Sequence, residues 1–202
     1  MTANIARTVL VAFYVAPFVG CTALSPVDVS TQKYVLNRVP VDLPIEQTHA
    51  TSLFVLAPES DRVYGTTQMA YTTQAYQIAY FSQNEWAETP SKMMLPLIVA
   101  TMSNTHYFSE VFAAPDFGRH TFALRTEILE LKQDFTAQPP MLKLTMRFYL
   151  SREATNEIIA SKEVSMRETM GEKNPYAGVV AANEATEKAL RELAAFVVEK
   201  AR

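Results

Sequence analysis

The sequence predicts an α+β fold: a mostly antiparallel β-sheet with two principal α-helices packed on one face, as a two-layer sandwich. Two patterns support this prediction. Three long stretches alternate apolar and polar residues, as half-buried strands do, and two others place apolar residues at helical spacing. The chain has 202 residues, 49% of them hydrophobic, and 5 glycines, which excludes a disordered chain, a glycine-rich fibre and a polytopic membrane protein.

Short strands are predicted in the first part of the chain. Residues 33–39 and 51–57 are apolar-rich runs, and each is followed by a proline, Pro40 or Pro58, which suits the end of a strand. Residues 66–82 are rich in Tyr, Thr and Gln and alternate in part, which indicates one or two further strands.

The first helix is predicted over residues 90–104. Thr89 is a suitable N-cap, Pro90 is a suitable first helical residue, and apolar residues follow at helical spacing. Pro96 lies inside this segment and cannot donate a hydrogen bond to the carbonyl of Lys92. We therefore expect the helix to have an irregular first turn.

The strongest strand signal covers residues 141–151, in which every second residue is large and apolar. Residues 122–131 alternate in the same way until the parity changes near Ile128, which predicts a bulge at that position. Residues 158–166 form a third alternating run. Because the connections between these runs are short, we expect an antiparallel meander.

A second helix is predicted over residues 176–201, with Asn174 and Pro175 at its start. Its apolar residues form one stripe, which we expect to face the core. On the opposite side, two i,i+4 pairs stand in the favourable order for helix-stabilising ion pairs. They are Glu184 with Lys188 and Glu187 with Arg191.

The N-terminal segment has the pattern of an export signal. Arg7 precedes an apolar run of thirteen residues, which suits a signal peptide and is too short to span a bilayer. The run ends in Phe18-Val19-Gly20-Cys21, which resembles the bacterial lipobox. In that motif the cysteine is acylated and becomes the mature N-terminus. The alternative is that Cys21, the sole cysteine of the chain, is an inert buried thiol.

These features divide the chain into three parts. We expect a lipoprotein signal peptide over residues 1–20, an acylated cysteine and tether over residues 21–31, and a single domain over residues 32–202. Acyl chains on Cys21 would hold the protein on an outer-membrane lipid surface. The resemblance to sorted lipoproteins implies the periplasmic face of the outer membrane, because Thr22 stands where inner-membrane lipoproteins usually carry Asp.

Charge and motif content argue against several functions. The net charge of −3 provides no excess of basic residues for nucleic acid, so we expect no such partner. The three histidines, His49, His106 and His120, stand apart without metal-site spacing. The sequence contains neither a G-x-S-x-G motif nor a glycine-rich phosphate loop. We therefore predict a protein that is not an enzyme and has no metal or cofactor.

An aromatic cluster offers candidate contact residues: Tyr71, Tyr76, Tyr80, Phe81 and Trp86. One interpretation is that alternate members fill the core between sheet and helix. The other is that Trp86, Tyr80 and Phe81 contact a protein partner or a lipid chain, because large aromatic residues dominate interface hot spots. Trp86 is the preferred candidate for this role, since it lies in a polar segment expected to be a loop before the first helix.

Several short landmarks occur in order along the chain, and together they resemble the ABC-type transport auxiliary lipoprotein family, which includes PqiC-like outer-membrane lipoproteins. The landmarks are Tyr34-Val35-Leu36, Tyr80-Phe81, Trp86-Ala87-Glu88 with Pro90, Tyr107-Phe108-Ser109-Glu110-Val111, Glu130-Leu131-Lys132-Gln133-Asp134-Phe135 and Gly178-Val179-Val180-Ala181-Ala182-Asn183-Glu184-Ala185. The resemblance implies an auxiliary subunit of an ABC-type envelope transporter that moves lipid with a periplasmic MCE-domain protein. It also implies a homo-oligomeric ring or cap around that partner.

The leading hypothesis is therefore a non-enzymatic outer-membrane lipoprotein that docks an MCE-type lipid transporter. The alternative is a periplasmic lipoprotein that itself binds a lipid or another apolar ligand, and a third is a lipoprotein enzyme. A filled core favours docking, and a cavity lined by methionine and aromatic residues favours ligand binding. Perturbed titratable groups clustered in a cleft would favour catalysis.

Overall fold

A computed structural model describes residues 30–43, 47–115 and 118–202. The predicted signal peptide, Cys21 and most of the predicted tether lie outside these residues. The elements of the described residues, in chain order, are β1 (Gln32–Tyr34), β2 (His49–Val55), β3 (Glu59–Ser60), β4 (Gln68–Thr72), β5 (Ala79–Trp86), α1 (Pro90–Asn104), β6 (Phe108–Ala113), β7 (Phe122–Asp134), β8 (Met141–Arg152), β9 (Glu157–Thr169) and α2 (Pro175–Ala201).

Strand β7 pairs with four other strands of the sheet. Along one of its edges, β2 pairs with its first residues, β3 with its middle and β4 with its last residues, all three in parallel. Its other edge pairs antiparallel with β8, which pairs antiparallel with β9. On the far side of β2 the sheet is extended by β6, and on the far side of β4 it is extended by β5 and then β1.

The α+β sandwich is confirmed, but the expectation of a mostly antiparallel sheet is corrected to a mixed one. The predicted meander of β7, β8 and β9 is antiparallel, because short turns join these strands. Three of the strands that precede β7 in the chain, β2, β3 and β4, pair with it in parallel, after long connections that include α1. The predicted bulge near Ile128 is confirmed as a register shift between Ile128 and Glu130.

The two ends of the β7–β8–β9 sheet differ, and we name them here. Thr72 and Met141 both pair with Asp134, so β4 ends and β8 begins where β7 ends. We call this the tether end, and it carries the loops 73–78, 135–140 and 170–174. The opposite end carries the turn between β8 and β9, residues 153–156, and we call it the hairpin end.

The direction of β1 shows where the tether leaves the domain. β1 runs parallel to β5, with Gln32 opposite Asn84 and Tyr34 opposite Trp86. β5 begins beside the last residue of β4, at the tether end, and runs away from it. The chain that precedes Gln32 therefore reaches β1 from the tether end.

Both helices cover the apolar face of the sheet. α2 packs on β8 and β9, α1 packs on β6, and the two helices contact each other. Every second residue of β8 is buried beneath them, as the alternation predicts. Six methionines from strands, helices and a loop are also buried in this core: Met69, Met93, Met94, Met102, Met146 and Met170.

The first helix has the predicted bounds, Pro90 to Asn104, but not the predicted irregular first turn. The helix continues through Pro96. Both Pro96 and Lys92 are exposed, so water can bond to the Lys92 carbonyl that Pro96 leaves without a donor. Thr89 is at the N-cap position, although its side chain makes no capping hydrogen bond.

The second helix begins at the predicted cap, where the side chain of Asn174 accepts a hydrogen bond from the N–H of Ala177 at 2.8 Å. The predicted pair of Glu187 and Arg191 is present at 2.9 Å. The predicted pair of Glu184 and Lys188 is wrong, because Lys188 reaches across to Glu168 on β9 at 2.6 Å. This contact ties the helix to the sheet.

Candidate docking surfaces

Trp86, the preferred contact residue, is a core residue. It ends β5 and is 4% exposed. The polar segment before it is the second half of a strand and not the expected loop, and the N–H of Trp86 donates to the carbonyl of Thr67 at 2.7 Å. A ring with so little exposed surface cannot supply a large contact area to a partner, so the burial supports the core alternative for Trp86.

Tyr80 and Phe81, the other two candidates, lie on opposite faces of β5. The ring of Phe81 is half-buried against Tyr71, with ring centroids 4.4 Å apart, and meets Phe135 edge-on at 6.3 Å. The ring of Tyr80 is accessible to solvent, and its hydroxyl donates to the carbonyl of Val63 at 3.0 Å. Of the three predicted contact residues, Tyr80 presents the most surface.

Exposed large apolar side chains are concentrated at and near the tether end. This group, which we call the tether-end patch, consists of Tyr76, Ile78, Tyr80, Tyr176 and Val180, together with Val35, which lies beside α2 farther from that end. Tyr76 is fully exposed, and its φ of 64° lies in the left-handed region that bulky residues avoid. The loop thus holds the Tyr76 ring in solvent through an unfavourable backbone conformation.

The patch continues onto the first turns of α2. Tyr176 and Val180 are one helical turn apart, and the Tyr176 ring lies 6.1 Å from that of Tyr34. The side-chain amide of Asn183 donates to the carbonyl of Val35 at 3.0 Å, which places Val35 beside the same helix face. A groove of about 330 Å³ runs next to Tyr176 and Val180. Sequence analysis missed Tyr176 and Val180, because in the sequence they are part of an ordinary helix.

A second apolar surface lies at the hairpin end. Ile158 is 57% exposed at the start of β9, and Ile159 beside it is partly exposed. Ile158 borders a groove of about 410 Å³ on the sheet face away from the helices, and Phe54, Leu56 and Tyr149 also line this groove. We call Ile158, Ile159 and this groove the hairpin-end patch.

A polar depression of about 480 Å³ at the tether end contains two titratable groups whose pKa values are shifted, Asp134 and Tyr64. Burial opposes the ionisation of Asp134, but hydrogen bonds from Lys143 and Thr136 outweigh it and lower the pKa of Asp134 to about 2. Burial, aided by the charges of Glu130 and Asp61, raises the pKa of Tyr64 to about 12. With these pKa values Asp134 stays ionised and Tyr64 stays neutral at neutral pH, whereas a general acid or base needs a pKa near the working pH.

Two further findings concern the described part of the chain only. No group of three or more His, Cys, Asp and Glu side chains is arranged to hold a metal ion. No helix there combines the length and apolar character needed to cross a bilayer.

The family model of the ABC-type transport auxiliary lipoprotein component matches residues 34–198. The chain belongs to this family. The match begins within β1 and ends within α2, so it includes both apolar patches. It also confirms the resemblance that the short sequence landmarks indicate.

Solved structures share the fold of this auxiliary lipoprotein. Protein XCC0632 from Xanthomonas campestris has 14% sequence identity and a TM-score of 0.74, over 84% of this chain and 96% of that one. Protein CT253 from Chlamydia trachomatis has 10% identity and a TM-score of 0.50, over 75% and 98% of the two chains. At these identities the likeness shows the fold alone. No curated protein matches the chain.

Proposed function

We propose that this auxiliary lipoprotein is a non-enzymatic, outer-membrane subunit that docks the periplasmic MCE-domain protein of an ABC-type envelope lipid transporter, as a homo-oligomer. The observation that carries the proposal is that, beside a filled core, most of the exposed large apolar side chains of the described residues fall into two patches. A protein that docks partners needs such exposed patches, because apolar patches on a stable surface mark sites of association.

The distribution of methionine argues against the ligand-binding alternative. Within the described residues, surface depressions of about 320 to 550 Å³ are open to solvent, and methionine lines none of these five. The six methionines of the core are buried between helices and strands. A protein that carries a lipid chain inside itself would instead direct flexible apolar side chains into a cavity.

We assign the MCE-domain partner to the hairpin-end patch. This patch lies at the opposite end of the sheet from the side on which the chain approaches β1, so it faces away from the lipid that Cys21 would anchor. Ile158 supplies an exposed aliphatic side chain, and the adjacent groove supplies aromatic and aliphatic walls that could receive a partner side chain.

Binding of the acylated full chain, held on vesicles, to the MCE-domain protein of the same transport system tests this assignment. Ile158→Glu should weaken binding about thirtyfold, as loss of an interface hot spot does. The matched control is Val41→Glu, which places the same charge on an exposed apolar position outside both patches and should leave the affinity unchanged. Absence of binding by the wild-type chain, or equal affinities for all three chains, would contradict the proposal.

A further inference from the structure

We propose that the tether-end patch is a membrane-contacting surface, which rests on the headgroup boundary of the bilayer that holds acylated Cys21. The inference depends on the proposed lipidation and adds to it a defined orientation of the domain. Its first support is chain direction, because the chain before Gln32 approaches β1 from the tether end. The tether residues Ser30 and Thr31, which directly precede β1, are exposed.

The length of the tether is the second support. Ten residues, 22–31, separate Cys21 from β1, and they span at most about 33 Å when fully extended. An anchor of this length keeps the start of β1 within about 33 Å of the lipid surface, and the direction of β1 turns the tether end toward that surface. Side chains at that end therefore meet the bilayer at a high effective concentration.

The composition of the patch is the third support. Three of its six members are tyrosines, Tyr76, Tyr80 and Tyr176, and tyrosine is enriched where an apolar environment borders water. Acidic and basic groups are equal in number in the depression beside Tyr76 and Ile78, where Asp61 and Asp134 stand with Lys132 and Lys143. We therefore expect contact through partly inserted apolar rings, with little dependence on anionic lipid or on salt.

Single-site fluorescence on the full, acylated chain tests the proposal. Because Cys21 is the sole cysteine and acylation consumes its thiol, an introduced cysteine is the single reactive thiol in the protein. The variants are Tyr76→Cys and Tyr176→Cys at the tether end, with Ile158→Cys as the matched control at the hairpin end. Each carries an environment-sensitive dye and is reconstituted in phosphatidylethanolamine vesicles that contain phosphatidylcholine with brominated acyl chains.

The proposal predicts that brominated chains quench the dyes at positions 76 and 176 at least twofold more than the dye at position 158. Equal quenching at all three positions, or stronger quenching at 158, would overturn it. Shielding of positions 76 and 176 from aqueous iodide without quenching by brominated chains would assign this end to a protein contact and would also overturn it.

A fatty-acid label on the same preparations separates this inference from the function on which it depends. Labelled protein that floats with vesicles but shows no quenching at the tether end refutes the orientation alone. Unlabelled protein, with a second thiol that reacts at Cys21, refutes the lipid anchor and the orientation together.

Discussion

Substitution of Gly178 by alanine should destabilise the domain, although alanine is the better helix former. Gly178 is the fourth residue of α2, and a Cβ atom at this position would overlap the side-chain amide of Gln133 on β7. Gln133 is 2% exposed, and its amide nitrogen donates to the carbonyl of Pro175 at 3.1 Å. The absence of a side chain at Gly178 thus lets the first turn of α2 pack directly on β7.

The expected magnitude follows from three contributions. Alanine favours the helix by about 1 kcal/mol over glycine. Insertion of a methyl group into a packed site costs about 1–3 kcal/mol, and displacement of the Gln133 amide removes a hydrogen bond worth about 1 kcal/mol. Gly178→Ala should therefore lower the free energy of unfolding by about 1–3 kcal/mol, and the Tm by about 2–4 °C for each kcal/mol.

Urea denaturation followed by circular dichroism measures this change. The control is Gly171→Ala, because a Cβ atom at Gly171 would meet no atom within 4 Å and should leave stability unchanged or slightly raised. In a Gln133→Ala background the clash is absent, so Gly178→Ala should raise stability by up to about 1 kcal/mol. The reasoning is refuted if Gly178→Ala is as stable as the wild type, or if the loss persists in that background.

Trp86→Ala should lower the free energy of unfolding by about 3–5 kcal/mol, because it removes a buried ring, and a loss below 1 kcal/mol by urea denaturation would contradict the core position. The pKa of Asp134 is lower in the folded chain, at about 2, than its ordinary value of 3.8, so its stabilising contribution is present above pH 4 and is lost as pH falls from 4 to 2. The free energy of unfolding, measured by urea denaturation across that range, should therefore fall by about 2 kcal/mol more for wild type than for Asp134→Asn, whereas parallel curves would contradict the pairing with Lys143. Cys21→Ala should abolish labelling by a fatty acid, and equal labels in variant and wild type would remove the lipobox argument. The domain that follows Thr31 should express in soluble form and melt cooperatively. Persistent aggregation without detergent would contradict a core whose apolar strand and helix faces bury one another.

The sequence predicts most closely those elements whose bounds are set by local pattern alone. The alternation of β8 and the capped apolar stripes of α1 and α2 place the bounds of these elements within two residues of the structure. The parallel partners of β7 could not be predicted in this way. A period of two identifies a strand and its buried face but not the strand beside it, and β2, β3 and β4 reach β7 only through long connections.

Strand β6 was missed for a related reason. Residues 108–113 show no clear alternation, since the strand begins with one buried residue and then has exposed and half-buried residues on both faces. β6 lies at an edge of the sheet and pairs only with β2 among the described strands. An edge strand has fewer neighbours to select its side chains, so its pattern is weak.

The surroundings of the candidate contact residues could not be predicted from local sequence pattern either. The residues before Trp86 are polar because they are exposed or only half-buried, and polar composition alone does not separate such a strand from a loop. The burial of Trp86 depends on its register with Tyr34, which lies about fifty residues earlier. The tether-end patch combines Tyr80 with Tyr176 from the other end of the chain, and only the order of strands around β7 brings them to one end.

Tether length alone does not decide which end of the domain faces the lipid. From Ile158 to Thr169, β9 covers eleven residue steps of about 3.3 Å, or about 36 Å, which is close to the 33 Å that the tether could span. If the hairpin end faced the lipid, the tether would have to reverse its direction at β1 and then run along the sheet to that end. Because β1 already points its N-terminal side toward the tether end, the opposite orientation requires no such reversal and leaves the tether slack. A slack tether loses less conformational entropy than an extended one, so the chain itself favours lipid at the tether end and a periplasmic partner at the hairpin end.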